Sequence, residues 1–392
     1  MGKQKTKKKS RAECPLYKKC GGCQLQNMTY PEQLKFKQRK EDRWLSKFGK
    51  VEPIIGMKDP HHYRNKVQAA FGYDFKHRKI ISGVYQSGSH RIVPVDDCLI
   101  EDRKADEIIV DIRHLMTSFK MQAYDEDTHR GFIRHVLVKR GFSTNQIMVV
   151  LVSGTPMFPS RKNFLNALLK KHPEITTIIQ NVNPYRTNLV LGKQERVLYG
   201  PGYIEDELCG CTFRISAKSF YQINPVQCEK LYHTAIDHAG LTGNETVFDS
   251  YCGTGTIGII AAAQAKNVIG VELNRDAVGD AISNAKRNDV RNIQFVAGDA
   301  GHFLSAMADE GETVDVIMMD PPRAGSSREF LDSVLKLGPP KVVYVSCNPE
   351  TLHRDLKYLT QYDYRVEKIQ PVDMFPYTEH VECVVLLSRK NG

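Results

Sequence analysis

From Glu245 to Arg389 the chain alternates apolar strands with helix-like segments, and this pattern constrains the fold more than any other feature. The first strand opens the stretch TVFDSYCGTGTIGIIAAAQA, and the later strands are VIGVEL, FVAGD, VDVIMMDPPR, KVVYVSC, YRVEKIQPVDMF and VECVVLLSR. Strands that alternate with helices in this way form a mostly parallel sheet covered on both faces. The sequence therefore predicts an α/β domain with a doubly wound sheet.

A glycine turn and an acidic residue mark a cofactor site in this domain. Gly253, Gly255 and Gly258 form a G-x-G-x-x-G arrangement after the first strand, where small residues let a ligand approach the next helix. Glu272 follows nineteen residues after Gly253, at the end of the second strand, and is placed to bind the ribose hydroxyls of an adenosine. Both signals fit NAD as well as S-adenosylmethionine.

The fourth strand of the domain ends in the turn Asp320-Pro321-Pro322-Arg323. Dinucleotide-binding folds have no particular use for this turn, whereas methyltransferases that act on bases often place an acid and prolines beside the transferable methyl group. A helix N-cap or turn former is the alternative interpretation of Asp320. The turn favours S-adenosylmethionine as the cofactor.

Cys347 ends the next strand, within VVYVSCNPETLHRDL, instead of lying inside the apolar run. Because parallel strands end at one edge of a sheet, we expect Cys347 and Asp320 to lie beside the methyl donor. A thiolate added to carbon 6 of a pyrimidine makes carbon 5 nucleophilic enough to attack a sulfonium methyl group. An inert, partly buried thiol is the alternative interpretation of Cys347.

The same reaction needs a base that removes the carbon-5 proton before the thiol leaves by elimination. Glu382, in TEHVECVVLLSR, starts the last strand at the expected edge, and Glu379 is a nearby competitor. A charge on an edge strand would explain the position of Glu382 equally well.

The N-terminal quarter of the chain carries a second cluster of reactive residues, Cys14, Cys20, Cys23 and Cys98. Three of these form C-x5-C-G-G-C, in which the glycines let the backbone wrap a metal cluster closely. Four thiolates suit a [4Fe-4S] cluster, in which each iron takes one cysteine. Zinc remains an alternative because it also accepts four thiolates, although its sites usually pair two C-x2-C hooks. Unliganded thiols are the third interpretation.

Between these regions, from roughly Tyr63 to Ile204, alternating strands predict an antiparallel-rich α+β domain. It is rich in basic and aromatic residues, a mixture suited to phosphates and stacked bases. A solvated sheet face has a similar composition. The residues are Arg64, Lys66, His77, Arg78, Arg91, Arg134, Lys139 and Arg140, with Tyr63, Phe71, Tyr73, Phe75 and Tyr85 nearby. A basic helix from Pro31 to Phe48 is predicted before this domain, with Leu34, Trp44, Leu45 and Phe48 on one face.

The overall charge favours a polyanionic partner, since Lys and Arg number 55 against 45 Asp and Glu, for a net charge of +10. The opening MGKQKTKKKSR lacks the apolar region of a secretory signal, and no later run is long enough to span a membrane. We therefore expect a cytoplasmic protein with no membrane partner and no evident obligate protein partner. The predicted parts are a basic disordered tail (1–13), a cysteine knot with the basic helix (14–55), the central domain (56–210), which supplies Cys98, and the catalytic domain (211–392).

Four motifs together resemble the RNA 5-methyluridine methyltransferase family. They are DPPRAG from Asp320, YVSCNP from Tyr344, SFYQIN from Ser219 and the N-terminal cysteine set. The resemblance covers Cys14 to Arg389. It implies a Rossmann-like, class I S-adenosylmethionine-dependent methyltransferase domain joined to an N-terminal and central α+β RNA-binding domain with an iron-sulfur site.

The resemblance also implies roles for individual residues. Cys347 would be the nucleophile that attacks uracil carbon 6, and Glu382, in the segment HVE, would be the proton-abstracting base. Cofactor contacts are implied for Gln222, Tyr251, Glu272 and Asp320, and also for Thr256 and Asp299. The quartet Cys14, Cys20, Cys23 and Cys98 would hold a [4Fe-4S] cluster whose role is structural or RNA-related.

One departure bears on the substrate, because many ribosomal-RNA members of the family begin with a small β-barrel RNA-binding module and only a lysine-rich tail precedes Cys14 here. Members specific for transfer RNA generally lack both the module and the cysteines. The pattern is similar to that of the shorter ribosomal-RNA enzymes, so we expect 23S ribosomal RNA as the partner and substrate. The alternatives are transfer RNA as substrate, a cytosine-C5 RNA methyltransferase, a non-catalytic RNA-binding assembly factor and a nicotinamide-dependent oxidoreductase.

Overall fold

The computed structural model describes residues 13–86 and 88–390. The predicted basic tail therefore lies, apart from Glu13, outside the described residues. In the part of the chain that is described, no helix combines the length and the apolar character needed to cross a membrane.

Two helices open the described chain, α1 (Tyr17–Cys20) and α2 (Tyr30–Leu45). A capping box starts α2, since Thr29 and Glu32 bond to each other's backbone N–H groups. The predicted helix is thus confirmed, although it ends at Leu45. Of the predicted apolar face, Leu45 is buried, and Trp44 and Phe48 pack partly buried against the C-terminal core. The other buried residues of α2 are polar, namely Gln33, Lys37 and Glu41.

The next part of the chain forms a seven-stranded sheet in the order β3-β2-β1-β4-β5-β6-β7. All neighbouring strands in it are antiparallel except β5 and β6. Apolar side chains of α3 and α4 share a buried cluster with one face of this sheet. The elements are β1 (Lys66–Asp74), β2 (Lys79–Tyr85), β3 (Ile92–Pro94), α3 (Arg103–Ser118), β4 (Ile133–Arg140), β5 (Ile147–Ser153), α4 (Arg161–Lys171), β6 (Ile175–Val182) and β7 (Gln194–Tyr199).

A two-stranded hairpin, β8 (Ile204–Leu208) and β9 (Cys211–Ile215), leads into the C-terminal sheet. The predicted domain limit at residue 210 lies in the turn of this hairpin, and the domain limits as a whole stay predictions.

The C-terminal sheet also has seven strands, in the order β12-β11-β10-β13-β14-β16-β15. The first five strands are mutually parallel, and β16 is antiparallel to both of its neighbours, β14 and β15. The predicted doubly wound sheet is confirmed. Its elements are α5 (Pro225–Ala239), β10 (Thr246–Ser250), α6 (Thr256–Ala262), β11 (Asn267–Glu272), α7 (Arg275–Arg287), β12 (Ile293–Ala297), α8 (Ala300–Asp309), β13 (Val316–Met319), α9 (Arg328–Leu337), β14 (Lys341–Ser346), α10 (Pro349–Gln361), β15 (Tyr364–Val372) and β16 (Glu382–Arg389).

The N-terminal segment packs against this C-terminal sheet. Val51 and Ile55 form parallel bridges to Ile369 and Val372 of β15, the edge strand. Below them, the buried Lys37 ammonium of α2 donates to Asp373 Oδ1 at 2.5 Å and to the Phe375 carbonyl at 3.0 Å. Helix α2 therefore packs against the C-terminal sheet.

Candidate active site

Three of the predicted site residues follow parallel strands directly. Tyr251 comes after β10, Asp320 after β13 and Cys347 after β14. These strands are neighbours in the sheet, so the three residues meet at its carboxyl edge. Glu382 begins the antiparallel strand β16, which places it at the same edge.

The strand register sets Cys347 against Glu382. In the antiparallel pair of β14 and β16, Ser346 lies opposite Cys383. Extending this register by one residue places Cys347 opposite Glu382, and opposite residues of a pair point to the same face. The nucleophile and the base predicted from the sequence are thereby brought together.

The local sequence explains why the thiol lies in a turn. Asn348 caps α10 by accepting a hydrogen bond from the Glu350 N–H at 3.1 Å, and Pro349 occupies the first turn. The Asn348 amide also donates to the Arg323 carbonyl at 3.2 Å, which joins this turn to the one that carries Asp320. Cys347 is left half-buried between the end of the strand and the start of the helix.

Burial raises the pKa of the two carboxyl groups at this edge. Burial raises the pKa of Asp320 to about 7. The pKa of Glu382 is raised well above its usual range by burial, then by the carboxyls of Asp320 and Glu41, while the guanidinium of Arg323 opposes the shift. Burial therefore favours the protonated form of Glu382, whereas Arg323 favours its carboxylate.

The thiol responds to the same surroundings. Burial raises the pKa of Cys347 to about 11, with further contributions from Glu382 and Asp320, and Arg323 again lowers it. Arg323 is thus the cation that favours the ionised forms of both the thiol and the base. A pKa of about 11 favours the neutral thiol over the thiolate at pH 7.

The glycine turn after β10 is organised by two acidic residues. Glu272, at the end of β11, accepts hydrogen bonds from the Gly253 N–H at 3.1 Å and the Asn274 N–H at 2.8 Å. Beneath the turn, the buried Asp249 accepts from the Gly258 N–H at 2.8 Å. A Cβ on Gly258 would lie 2.8 Å from Asp249 Oδ2, so the close approach requires glycine.

A cleft of about 740 Å³ opens beside this turn. Glu272, Gly253 and Thr254 line one side, and Lys218 and Phe220 of the segment before α5 line another. Its volume falls in the range of small-molecule sites. Of the predicted cofactor residues, Glu272 lines this cleft.

The other predicted cofactor residues surround the same turns. Tyr251 adopts a left-handed φ of 60° and packs its ring 5.1 Å from that of Phe330. Thr256 begins α6, with its hydroxyl 3.4 Å from that of Thr254. Asp299 is exposed and caps α8, accepting from the His302 N–H at 2.9 Å.

Gln222 lies where the two large sheets meet. Its carbonyl accepts a hydrogen bond from the Asn65 side chain at 3.0 Å, and the Asn65 N–H donates to the Ile223 carbonyl at 2.9 Å. Asn65 directly precedes β1, so the SFYQIN segment is tied to the start of the central sheet.

Three acidic or basic residues at the site were missed by sequence reasoning. Asp249 is buried, and its position directly after the apolar residues of TVFD is a signal that could have identified it. Arg323 belongs to the DPPR turn itself, where its charge could have been paired with Cys347. Glu41 lies four residues after Lys37 and four before Leu45 on the buried face of α2, a spacing that could have placed it inside.

The four N-terminal cysteines are partly brought together. Cys14, Cys20 and Cys23 interact electrostatically with one another, while Cys23 and Cys98 both pack against the cluster of Tyr63, Ile100 and Tyr377. However, among residues 13–86 and 88–390 no group of three or more His, Cys, Asp or Glu side chains is arranged to hold a metal ion. The predicted iron-sulfur site is not confirmed.

Comparison with known proteins shows the family to which the chain belongs. The family model described as tRNA (Uracil-5-)-methyltransferase matches residues 29–390. An uncharacterized RNA methyltransferase of Halalkalibacterium halodurans is 44% identical over 385 residues, which are 97% of this chain and 84% of that protein. Another from Clostridium acetobutylicum is 43% identical over 393 residues, 98% of this chain and 85% of that protein.

Among solved structures, the tRNA (uracil-54, C5)-methyltransferase of Pyrococcus abyssi in complex with S-adenosyl-L-homocysteine superposes with a TM-score of 0.77. The two sequences are 28% identical, and the match covers 93% of this chain and 85% of that one. The chain belongs to the tRNA (uracil-5-)-methyltransferase family and is an S-adenosylmethionine-dependent RNA methyltransferase.

Proposed function

We propose that the protein methylates carbon 5 of a uridine in RNA, with Cys347 as nucleophile and Glu382 as general base. The observation that supports the proposal is the register of β14 and β16: extended by one residue beyond the pair of Ser346 and Cys383, it sets Cys347 opposite Glu382. A nucleophile and a base on the same side of a flat ring can act in turn on its adjacent carbons 6 and 5.

The chemistry runs as addition, substitution and elimination. The Cys347 thiolate forms a bond to carbon 6, and the electron pair of the 5,6 double bond moves to carbon 5. Bound S-adenosylmethionine supplies an electrophilic methyl group on a sulfonium, whose positive charge also favours the ionised forms of nearby acids. Carbon 5 takes that methyl group, and the bond between methyl and sulfur breaks.

Glu382 completes the reaction. Its carboxylate accepts the proton of carbon 5, the 5,6 double bond re-forms, and the Cys347 thiolate leaves carbon 6. Burial gives Glu382 a raised pKa, and a strongly basic carboxylate is suited to removing a carbon-bound proton. The base must first lose its own proton, so the rate should rise with pH.

Cofactor binding is proposed for the predicted residues around the glycine turn. Glu272 would bind the ribose hydroxyls, and its carboxylate is already fixed by two backbone N–H groups. Asp320 would face the reacting sulfonium, since it ends the strand beside that of Cys347. Gln222, Tyr251, Thr256 and Asp299 would contact the remainder of the cofactor.

The experiment that tests these roles is adduct trapping. Glu382→Gln should methylate carbon 5 and then stall, because the amide cannot remove the proton, so a covalent protein–RNA adduct should survive denaturing electrophoresis. Cys347→Ala should form no adduct and no product, yet bind S-adenosylhomocysteine as the wild type does. Methyl transfer by Cys347→Ala at the wild-type rate would refute the covalent route.

We propose 23S ribosomal RNA as the substrate, on the resemblance of the cysteine set to that of the shorter ribosomal-RNA enzymes. The competing substrate is transfer RNA, which the Pyrococcus abyssi neighbour modifies according to its description. Incubation with unmodified 23S ribosomal RNA and with unmodified transfer RNA separates the two, when the 5-methyluridine formed in each is quantified by mass spectrometry. Product in transfer RNA alone would overturn this assignment.

We propose further that Cys14, Cys20, Cys23 and Cys98 hold a [4Fe-4S] cluster with a structural role. Hydrogen bonds to sulfur support this assignment, because the Gly22 N–H donates to Cys20 and the N–H groups of Ile100 and Glu101 donate to Cys98. Burial raises the pKa of Cys20, Cys23 and Cys98 above the usual value for a thiol, and these hydrogen bonds partly offset that shift for Cys20 and Cys98. The carboxyls of Glu101 and Asp106, near Cys98, act in the opposite direction.

The cluster is tested by its composition and spectrum. After anaerobic reconstitution we expect about four iron and four sulfide per chain and a broad absorption in the visible range. Cys98→Ala should lose both, whereas Cys209→Ala, a substitution of a half-buried thiol elsewhere, should keep them. Stoichiometric zinc in place of iron would contradict the proposal.

A further inference from the structure

A second large cleft lies in the central domain, at the far end of the β1–β2 hairpin. We call it the hairpin cleft. It encloses about 650 Å³ between this hairpin and the segment that follows α3. Its apolar floor is buried and comprises Ile80, Met121 and Ala123.

Two aromatic side chains of the hairpin cleft face solvent. Tyr73 is 45% exposed and Phe75 is 76% exposed. Their ring centroids lie 5.2 Å apart with an interplanar angle of 76°, so the two rings present differently oriented faces. Exposed aromatic rings beside an apolar floor are a surface on which nucleic-acid bases stack.

The rim of the hairpin cleft is strongly basic. Arg78, Lys79, Lys120 and Arg130 line it and are exposed, and within the described residues none of the four takes part in an ion pair. Asp125 is the acidic residue of the lining, and its carboxylate is engaged by the N–H groups of Asp127 and Thr128 at 2.9 and 2.8 Å. The rim therefore offers unpaired positive charge to a polyanion.

The hairpin cleft is connected to the active site by one strand. β1 starts at Lys66, next to the Asn65 that bonds the Gln222 segment, and ends at Asp74, beside Phe75. A strand of this length spans roughly 25–30 Å at about 3.3 Å per residue. An RNA that places a base against Cys347 can thus reach the hairpin cleft only through nucleotides well removed from the reacting one.

We propose that the hairpin cleft binds an unpaired segment of the RNA substrate distant from the methylated uridine. Bases stack on Tyr73 and Phe75, and phosphates of the same segment lie against Arg78, Lys79 and Lys120. This inference rests on the proposed function, since it deepens how the substrate of that site is held. It makes the hairpin cleft a determinant of which RNA is chosen.

The test uses matched sets of variants. Tyr73→Ala with Phe75→Ala removes the stacking surface, and the triple change Arg78→Gln, Lys79→Gln, Lys120→Gln removes the rim charge. The control triple, Arg161→Gln, Lys162→Gln, Lys170→Gln, deletes the same residue types from exposed positions on α4. Tyr362→Ala, at a 49% exposed tyrosine after α10, is the aromatic control.

Binding is measured by fluorescence anisotropy with a single-stranded oligouridylate and with 23S ribosomal RNA transcripts. We expect the aromatic double variant to raise Kd about tenfold or more. The basic triple variant should lower the slope of log Kd against log salt by about two, at roughly 0.7 per lost phosphate contact with single strands. The Tyr73→Phe with Phe75→Tyr variant keeps both rings and should bind as the wild type does.

The outcomes distinguish failure of the hairpin cleft as an RNA site from failure of the proposed function. Wild-type affinity in both test variants would overturn the hairpin cleft as an RNA site and leave it as a protein-binding surface. Binding of S-adenosylhomocysteine checks that each variant is folded. Absence of RNA binding in the wild type would instead count against the proposed function. The kcat for methyl transfer at saturating RNA should stay unchanged in every cleft variant.

Discussion

At the scale of single residues, Arg323 is the charge on which the reactivity of both catalytic groups depends. It lowers the pKa of the Cys347 thiol and of the Glu382 carboxyl, both of which are raised chiefly by burial. Its side chain is exposed, so its effect is moderated by solvent.

We expect Arg323→Gln to shift the rising limb of the pH profile of kcat/KM to higher pH, by up to about one unit. The sign follows because loss of the cation leaves the thiol and the base protonated over a wider pH range. Arg323→Lys, which keeps the charge, should show a smaller shift. An unchanged profile in Arg323→Gln would mean that the guanidinium does not act on either group.

Glu41 is a second residue whose burial should affect a measurable quantity, the pH dependence of stability. Its side chain is fully buried, neither carboxyl oxygen has a hydrogen-bond partner in the described residues, and burial raises its pKa to about 8. Because the folded-state pKa exceeds the unfolded value of about 4.5, the folded state keeps a proton that the unfolded state releases. The contribution of Glu41 to the free energy of unfolding is therefore fully present below pH 4.5 and declines as the pH rises towards 8.

Glu41→Gln should remove that decline. Relative to the variant, the wild type should lose up to roughly 1.4 kcal/mol of unfolding free energy per pH unit between those limits. Urea denaturation at a series of pH values measures this, with the exposed Glu312→Gln as the matched control. Parallel pH dependences for the wild type and Glu41→Gln would show that Glu41 is not buried as a neutral acid.

At the scale of elements, α2 is held to the C-terminal sheet by polar bonds instead of apolar contacts alone. Asp373 accepts from both the Lys37 ammonium and the Tyr30 hydroxyl, the latter at 2.8 Å, and the Gln33 side chain accepts from the Tyr377 N–H at 2.8 Å. A buried ion pair of this kind gives specific placement more than stability.

Lys37→Met should therefore cost about 3–5 kcal/mol of unfolding free energy, because the Asp373 carboxylate is left buried without its cation. The double variant Lys37→Met with Asp373→Asn should recover much of that loss, since no unpaired charge remains. Chemical denaturation of the two variants provides the comparison. Equal destabilisation by the single and double changes would argue that lost packing, and not the unpaired charge, dominates.

The elements also show what the sequence could and could not supply. Strands and helices of the C-terminal sheet were predictable because β-branched runs, glycine turns and strand-end acids are local signals. The buried polar face of α2 was not, because Lys37 and Glu41 look like solvent-exposed residues until Asp373 and β16 are packed against them. Tertiary partners, more than three hundred positions away for Lys37, decided their burial.

The candidate site shows the same division. Cys347, Asp320 and Glu272 could be identified because each ends a strand in a turn with a chemical purpose. The pairing of Cys347 with Glu382 required the register of two antiparallel strands, which local patterns do not specify.

At the scale of the whole molecule, the N-terminal segment and the C-terminal sheet form a continuous core. Trp44, the only tryptophan of the chain, packs against the buried cluster of that sheet with its ring centroid 5.3 Å from that of His353 in α10. Its fluorescence therefore reports whether α2 remains docked.

We expect the Trp44 fluorescence transition in urea to coincide with loss of S-adenosylhomocysteine binding, since the two parts share one core. Wild-type protein and Leu45→Ala, which opens a cavity beside Trp44, should differ in midpoint but not in this coincidence. A Trp44 fluorescence transition at a lower urea concentration than the loss of ligand binding would show that α2 unfolds independently.

The measurement that tests the central claim most directly is tritium release from RNA labelled at carbon 5 of either uridine or cytidine. Anaerobically reconstituted protein is mixed with labelled 23S ribosomal RNA transcripts and S-adenosylmethionine, because substitution at carbon 5 must expel the label to water. The account predicts release from uridine alone, and none in Cys347→Ala. Release from cytidine, or none from uridine in whole ribosomal RNA and transfer RNA, would contradict it.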